Sequence, residues 1–186
     1  MGRTSTARER LLDAACALVL ERGYTAVGVA EICARADVKK GSFYHFFPSK
    51  QALTVEAVNA HWAAQRPSWT ALLAAPGPGE DRLRGLFEQQ AAAQRAARAE
   101  HGSVHGCLFG NLALEVSGRD EVVQARLAEI FDEQIDLVHA ALPGRSRDTA
   151  RAVLAQLEGM VLFAKLSDDP SLLDGLWDRT ALLLRA

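Results

Sequence analysis

Side chains that could bind a polyanion are concentrated in the twelve residues 39–50. Three of the four lysines of the chain lie there, together with a glycine, two serines, a tyrosine and a histidine. Ammonium, hydroxyl and imidazole groups donate hydrogen bonds to phosphate oxygens and base edges, and a glycine allows close approach to a groove. The candidate nucleic-acid-binding residues of this stretch are Lys39, Lys40, Gly41, Ser42, Tyr44, His45 and Lys50.

The charge distribution supports this interpretation. Residues 1–50 carry eight Lys and Arg against five Asp and Glu, whereas the remaining residues carry 13 against 18. The formal net charge of −2 conceals this asymmetry. A basic segment followed by an acidic remainder predicts that the first part binds a polyanion and that the rest has another function.

The residues around Cys107 form a second candidate site. Cys107 is expected in the first turn of a short helix, where the helix N-terminus and His101 or His105 would lower the pKa of its thiol. A thiolate there would react with peroxide, hypochlorite, quinones or aldehydes. The alternative is that this lone cysteine is a small core residue.

Aromatic side chains from different predicted helices offer another kind of pocket. Cavities between the helices of a bundle commonly bind small ligands. The candidates are Trp62, Trp69, Phe87, Phe109, Phe131 and Phe163. We favour Phe109 and Asn111 as ligand contacts because they follow Cys107 closely, although an aromatic at helical spacing can equally belong to the core.

The elements that must position these residues are predicted to be helices. Alanine is abundant, β-branched residues are sparse and apolar residues recur at helical spacing, so the fold class is all-α with about nine helices. The predicted helices cover residues 6–22, 29–36, 40–47, 49–65, 81–100, 108–116, 119–142 and 147–166, with a last one from residue 171. Pro67 is expected to end the fourth helix, and residues 74–79 form a linker.

A longer helix followed by two short helices that a tight turn joins is typical of a helix-turn-helix. We therefore assign residues 1–50 to a three-helix head and residues 51–186 to a helical body. Residues 23–24, 29–33, 37–47 and 49–53 resemble the DNA-binding head of TetR-family transcriptional regulators. The resemblance implies a homodimeric repressor of a palindromic double-stranded DNA operator. It also implies a body that binds a small-molecule effector and dimerises through its last two long helices.

Within the head, the resemblance implies roles for individual residues. Four would lie near base edges or the adjacent backbone: Lys40, Gly41, Ser42 and Tyr44. Three would lie on phosphates: Tyr44, His45 and Lys50. The N-terminal arm would lie near the minor groove or the backbone through Arg3, Thr4 and Thr6.

Three features depart from the usual pattern of that family. Val27 and Gly28 stand where Thr-Ser is common, which removes a phosphate-binding hydroxyl and an N-cap side chain. Ala30 stands where many members have Arg. Asp37 replaces the usual turn glycine, and Asp adopts the left-handed conformation more readily than most residues. These departures affect the operator sequence rather than DNA binding itself.

Residues 106–108 and 110–111 resemble a subgroup of TetR-type repressors that respond to electrophiles or small unsaturated acids. The resemblance implies that a lysine late in the penultimate helix lies close to Cys107, and Lys165 has that place here. A thiol-based sensing repressor is therefore an alternative to a reversible ligand-binding repressor. Lys165 can also simply complement the C-terminal end of its own helix.

Other classes of protein fit the sequence less well. We expect no enzyme, because no nucleophile-elbow, zinc-protease or phosphate-loop motif is present. The three cysteines have no metal-ligand spacing, so neither metal nor cofactor is expected. No apolar run approaches the length of a membrane span, which favours a cytoplasmic protein without membrane contact. The rival from another class is a helical interaction protein that does not bind DNA.

Overall fold

The computed structural model describes residues 6–183 and shows an all-α chain. It is 78% helical, with nine α-helices, one 3-10 helix and no strand in these residues, which confirms the predicted fold class. The α-helices are α1 (Ala7–Arg22), α2 (Val29–Arg35), α3 (Lys40–Phe46), α4 (Lys50–Leu73), α5 (Gly79–His101), α6 (Leu108–Val116), α7 (Glu121–Ala140), α8 (Arg147–Ser167) and α9 (Leu176–Leu183). None of the helices described is both long and apolar enough to cross a bilayer.

The chain folds as two compact units. The first unit consists of Met1–Ala64 and Leu108–Ala128, and the second of Gln65–Cys107 and Glu129–Ala186. The first unit therefore combines the three helices of the head with the first part of α4, with α6 and with the beginning of α7. The predicted division after residue 50 separates a DNA-binding head from an effector-binding and dimerising body. That division by role stays a prediction.

Helices α1 to α3 pack around a small apolar core. Its fully buried side chains include Leu11, Ile32, Phe43 and Phe47. The hydroxyl of Thr6 accepts the N–H of Glu9, and the Glu9 carboxylate accepts the N–H of Thr6. This capping box satisfies two donors at the start of α1. The core then determines which face of α3 points to solvent.

The turn between α2 and α3 depends on Asp37, which has a φ of 51°. This confirms the predicted left-handed conformation at the position of the usual glycine. The Arg10 side chain donates to the carbonyl oxygens of Ala36 at 2.9 Å and of Asp37 at 3.4 Å. Helix α1 thereby supports the turn that sets the direction of α3.

Helix α4 continues through Pro67, although the sequence predicts its end at residue 65. A proline inside a helix removes one intrahelical hydrogen bond and crowds the preceding turn. Trp69 and Leu73, which follow in the same helix, are only 3% and 4% exposed. Burial of these side chains outweighs the cost of the proline, so the predicted end is wrong and the helix ends at Leu73.

The last predicted helix is also wrong, because two short elements take its place. Asp168 adopts a left-handed conformation that ends α8, and Pro170–Leu173 form a 3-10 helix. The Asp169 carboxylate caps that element by accepting the N–H of Ser171 at 2.9 Å. Gly175, with a φ of 63°, then turns the chain into α9.

Candidate nucleic-acid interface and effector region

The outward face of α3 carries polar side chains above an apolar anchor. Phe43 and Phe47 have no exposed surface and hold the helix on the core. Tyr44 is 54% exposed, and its ring packs edge-on against Phe43 with a centroid distance of 5.1 Å. The phenol is therefore presented to solvent on a ring that the core supports.

The other predicted residues of this helix share the exposed face. They are Lys39, Lys40, Gly41, Ser42 and His45. Within residues 6–183, neither lysine of this face takes part in an ion pair. A Cβ at Gly41 would meet no atom within 4 Å, so the space outside the helix is open there. The structure thus brings six of the predicted residues together, with donors free to meet an external partner.

Lys50 makes contacts within the protein that the sequence did not predict. Its Nζ donates to the carbonyl oxygens of Tyr24 at 2.6 Å and of Val27 at 2.7 Å, and lies 4.0 Å from the centroid of the Tyr24 ring. Burial lowers the pKa of Lys50, and the charge of Glu115 opposes that shift. Two of its three N–H donors thus hold the α1–α2 loop at the start of α4, and a phosphate contact stays a prediction.

The predicted N-terminal arm is described only in part. Arg3 and Thr4 lie outside the described residues, so their predicted place near the minor groove stays a prediction. Thr6 is exposed, and its hydroxyl caps α1. Its contact with DNA is likewise a prediction.

A carboxylate of α6 binds the loop that follows α1. Glu115 Oε1 accepts the N–H of Tyr24 and Oε2 accepts the N–H of Thr25, both at 2.8 Å. Burial acts to raise the pKa of Glu115, but these donors and the charge of Lys50 bring it below its ordinary value. The charged carboxylate is therefore the favoured form in the folded protein.

Gly23 makes this approach of α6 possible. Its φ of 85° is one that residues with a side chain rarely adopt. A Cβ at this position would also lie 2.6 Å from Glu115 Oε1. The helix-ending glycine thus serves both the turn after α1 and the contact with α6.

Asp120, immediately before α7, makes a second connection to the head. Its Oδ2 accepts the Tyr24 hydroxyl at 3.2 Å, and its Oδ1 accepts the side-chain amide of Gln51 at 2.8 Å. Burial raises the pKa of Tyr24 to about 12, and Asp120 adds to the shift. Glu115 and Asp120 could not be recognised from the sequence, because both lie 90 or more residues from the loop and no local pattern marks them.

In the first unit, Phe109 of α6 packs against aromatic residues of α4. The ring centroids of His61 and Trp62 lie 5.4 Å and 6.4 Å from that of Phe109, both edge-on. Phe109 is 1% and Trp62 2% exposed, and burial lowers the pKa of His61. These residues form close-packed core in this structure. Ligand contacts by Phe109, Trp62 and the half-buried Asn111 stay predictions.

In the second unit, Cys107 is half-buried and its thiol hydrogen-bonds to Glu158 of α8. Burial raises the pKa of Glu158, and the donor thiol opposes that shift. His101 and His105, expected near the thiol, stack on each other with a centroid distance of 4.6 Å. The sequence did not indicate Glu158 as a neighbour of Cys107. This acidic group disfavours a thiolate whenever its own carboxyl group is charged.

Two further predicted effector residues lie on α8. Phe163 is 55% exposed on the same outer face as Leu162 and Leu166, and its role as a pocket residue stays a prediction. It faces outward because the inner face of the helix is occupied by Val161 and Ala164. Lys165 is half-buried in the last turn of α8, and its pairing with Cys107 stays a prediction.

The remaining cysteines lie in the first unit. Burial, with a contribution from Asp13, raises the pKa of Cys16 to about 12, and burial likewise raises the pKa of Cys33. Such thiols are poor nucleophiles at neutral pH. Within residues 6–183, no cluster of three His, Cys, Asp or Glu side chains has the geometry to hold a metal ion.

Comparison with protein families gives two matches. The profile described as "Bacterial regulatory proteins, tetR family" matches residues 11–57. The profile described as "Transcriptional regulator LmrA/YxaF-like, C-terminal domain" matches residues 85–177. The first match covers the helix-turn-helix with the start of α4, and the second runs from α5 into α9.

Individual proteins are similar over most of the chain. The repressor NemR of Escherichia coli (strain K12) is 38% identical over 136 residues, which are 73% of this chain and 66% of NemR. The transcriptional regulator AcuR of Cereibacter sphaeroides is 33% identical over 180 residues, 89% of this chain and 80% of AcuR. The crystal structure of reduced E. coli NemR superposes with a TM-score of 0.81 at 32% identity, covering 94% of both chains.

Proposed function

Because this chain belongs to the TetR family of transcriptional regulators, we propose that it is a DNA-binding repressor that acts in the cytoplasm. The observation that carries the proposal is the exposed face of α3. There Lys39, Lys40 and Tyr44 project from a helix that buried phenylalanines anchor. A rigid short helix with outward donors is what a helix-turn-helix places in the major groove.

The residues of this face divide between two tasks. Lys40, Ser42 and Tyr44 contact base edges or the adjacent backbone, whereas Lys39 and His45 contact phosphates. Phosphate contacts supply most of the affinity and base contacts supply specificity. The open space outside Gly41 lets the DNA backbone approach the helix closely.

The repressor acts as a homodimer through α8 and α9. Leu162, Phe163 and Leu166 expose 47%, 55% and 78% of their surfaces on one face of α8, and Leu182 of α9 exposes 64%. A cluster of large apolar side chains on a helix face is typical of an interface. A two-fold symmetric dimer contains two copies of α3, one for each half-site of a palindrome.

A small-molecule effector controls the DNA-binding state through α6. Glu115 and Asp120 bind α6 and the start of α7 to Tyr24, Thr25 and Gln51 of the head. A ligand that reaches the region of Phe109 and Asn111 and moves α6 changes these contacts. It therefore shifts the population of heads that match the operator.

Thiol modification at Cys107 is a second candidate for the signal. It is favoured by the hydrogen bond between Cys107 and Glu158, because an adduct on sulfur removes the donor from a half-buried carboxyl group. Cys107 directly precedes α6 in the chain, so the disturbance begins where that helix begins. The similarity to NemR, which has been crystallised in a reduced form, points the same way.

Fluorescence anisotropy with DNA from upstream of the protein's own gene, alongside sheared genomic fragments, tests the proposal. We expect binding whose affinity falls by orders of magnitude as salt rises. Treating the protein with N-ethylmaleimide should release the DNA, and Cys107→Ser should abolish that release. Release that persists in Cys107→Ser excludes the thiol mechanism. If no DNA fragment shows salt-dependent binding, the repressor proposal is contradicted.

A further inference from the structure

The loop that follows α5 in the second unit runs back along that helix and ends at Cys107. His105 stacks on His101, with a centroid distance of 4.6 Å. Gly106 then reaches Gln94, which lies about two helical turns before His101 on α5. The helix that precedes the loop therefore also holds its far end, next to the cysteine.

The side chain of Gln94 binds both polar groups of Gly106. The Gly106 N–H donates to Gln94 Oε1 at 3.0 Å, and Gln94 Nε2 donates to the Gly106 carbonyl oxygen at 3.1 Å. A backbone N–H can only donate, so it fixes which end of the carboxamide faces it. Gln94 is 8% exposed, and a buried amide that lost both partners would be costly. The two hydrogen bonds therefore hold the loop in one defined geometry.

A second side chain holds the middle of the same loop. The Asp168 carboxylate, at the end of α8, accepts the N–H of Val104 at 2.8 Å and Arg98 Nε at 3.2 Å. This contact does not involve Gln94. Loss of the Gln94 contact would therefore free the end of the loop and not the whole of it.

The orientation of one peptide group connects Gln94 to the thiol. The Gly106 carbonyl belongs to the peptide bond that leads into Cys107, and Gly106 has a φ of 78°. A glycine that is not held has many other conformations open to it. The Cys107 thiol hydrogen-bonds to Glu158, and such a bond favours the protonated thiol over the thiolate. Rotation of this peptide would move the sulfur away from Glu158.

We propose that Gln94 is a positioning residue for Cys107. It fixes the peptide before the cysteine, keeps the thiol on Glu158 and so holds down the fraction of reactive thiolate. The inference rests on the thiol signal proposed above for its functional meaning. In that role, Gln94 sets how much electrophile is needed before the signal begins.

The test measures how fast iodoacetamide modifies Cys107 of the full chain across the titration of the thiol. The thiolate sulfur forms a bond to the methylene carbon, and iodide leaves with the electron pair of the broken bond. Gln94→Met has a side chain of similar length that forms neither hydrogen bond. We expect a rate about 3- to 10-fold higher at neutral pH, a midpoint lower by roughly 0.5–1 pH unit and an unchanged rate at high pH.

Gln90→Met, one turn earlier on α5, is the matched control and should keep the wild-type profile. In a Glu158→Gln background, Gln94→Met should change the rate by less than about twofold, because Gln94 acts through Glu158. If Gln94→Met does not fold, Gln94→Asn, which withdraws the amide by one methylene, replaces it. An unmoved midpoint, an equal rise in rate at every pH, or a full effect in the Glu158→Gln background would each overturn the inference.

The rate of modification is measured without DNA, so its result is separate from that of the release experiment. A pH profile that responds to Gln94, with an adduct that leaves DNA bound, would support the positioning role and contradict the thiol signal.

Discussion

The Glu115 Oε1 atom and the backbone nitrogen of Tyr24 lie 2.8 Å apart, so the end of α6 is hydrogen-bonded to the loop that leads into the helix-turn-helix. The other carboxylate oxygen binds Thr25, and Asp120 binds the Tyr24 hydroxyl. Three hydrogen bonds thus meet on two consecutive residues. Substitutions here change the link between α6 and the head without touching the outer face of α3.

Glu115→Gln should destabilise the protein. The substitution removes the charge and turns one acceptor into an amide that faces a backbone N–H. We expect a loss of roughly 1–3 kcal/mol in the free energy of unfolding, measured by urea denaturation. Glu121→Gln, in the exposed first turn of α7, is the control and should cost less than about 0.5 kcal/mol. Equal effects of the two substitutions would contradict a special role for Glu115.

The effect of Glu115→Gln should depend on pH. The folded-state pKa of Glu115 lies below its ordinary value of 4.5, so its stabilising contribution is present above that pH. The contribution is lost as the pH falls through the folded-state pKa. The difference in unfolding free energy between wild type and Glu115→Gln should therefore be constant near neutrality and shrink below pH 4.5. A difference that stays constant down to pH 3 would show that shape, rather than charge, matters at this position.

Lys40→Ala should weaken operator binding and leave the fold intact, because the side chain is exposed. If Lys40 contacts one phosphate, the slope of log affinity against log salt should decrease by about 0.9. Arg145→Ala, in the exposed loop before α8, removes one positive charge from the second unit and serves as the control. Anisotropy titrations at several salt concentrations give both slopes. An unchanged slope in Lys40→Ala would place Lys40 away from the DNA backbone.

Glu158→Gln should make Cys107 more reactive. The wild-type carboxyl group opposes a thiolate whenever it is charged, whereas an amide can donate to the sulfur. We expect N-ethylmaleimide to modify Cys107 roughly 3- to 10-fold faster at neutral pH. Mass spectrometry of peptides separates Cys107 from Cys16 and Cys33. A slower reaction in the variant would mean instead that Glu158 accepts the proton of the thiol.

Leu166→Glu should dissociate the dimer. Leu166 has the largest exposed fraction of the α8 cluster, and a carboxylate there would be buried without a partner in the dimer. Analytical ultracentrifugation should give the mass of one chain for this variant and of two for the wild type. Leu114→Glu, at an equally exposed leucine of α6, should remain dimeric. A dimeric Leu166→Glu would move the interface elsewhere.

The sequence predicted those parts of the fold that depend on local patterns. Helix α6 has the predicted bounds, and the outward position of Tyr44 between buried phenylalanines follows from helical periodicity. Asp37 in the left-handed conformation could also be predicted, since few other residues tolerate it. Each of these features is set within a few residues of the chain.

Features that depend on distant residues could not be predicted. Pro67 favours a helix end, and only the burial of Trp69 and Leu73 keeps α4 intact. Lys50 has the type and position of a phosphate ligand, yet two carbonyl groups more than 20 residues away bind its ammonium group. The contact between Glu158 and Cys107 could not be predicted either, since the two residues are 51 positions apart in the sequence.

The uneven distribution of lysine makes acylation chemistry selective in this chain. Lys39 and Lys40 are exposed, Lys50 has its amine in two hydrogen bonds, and Lys165 is half-buried in the second unit. Among these four side chains, an acetylating reagent therefore labels the start of α3 first and removes two positive charges from it. DNA bound at this helix shields the same two amines. Their rate of labelling accordingly reports occupancy of the operator without a mutation or a fluorophore.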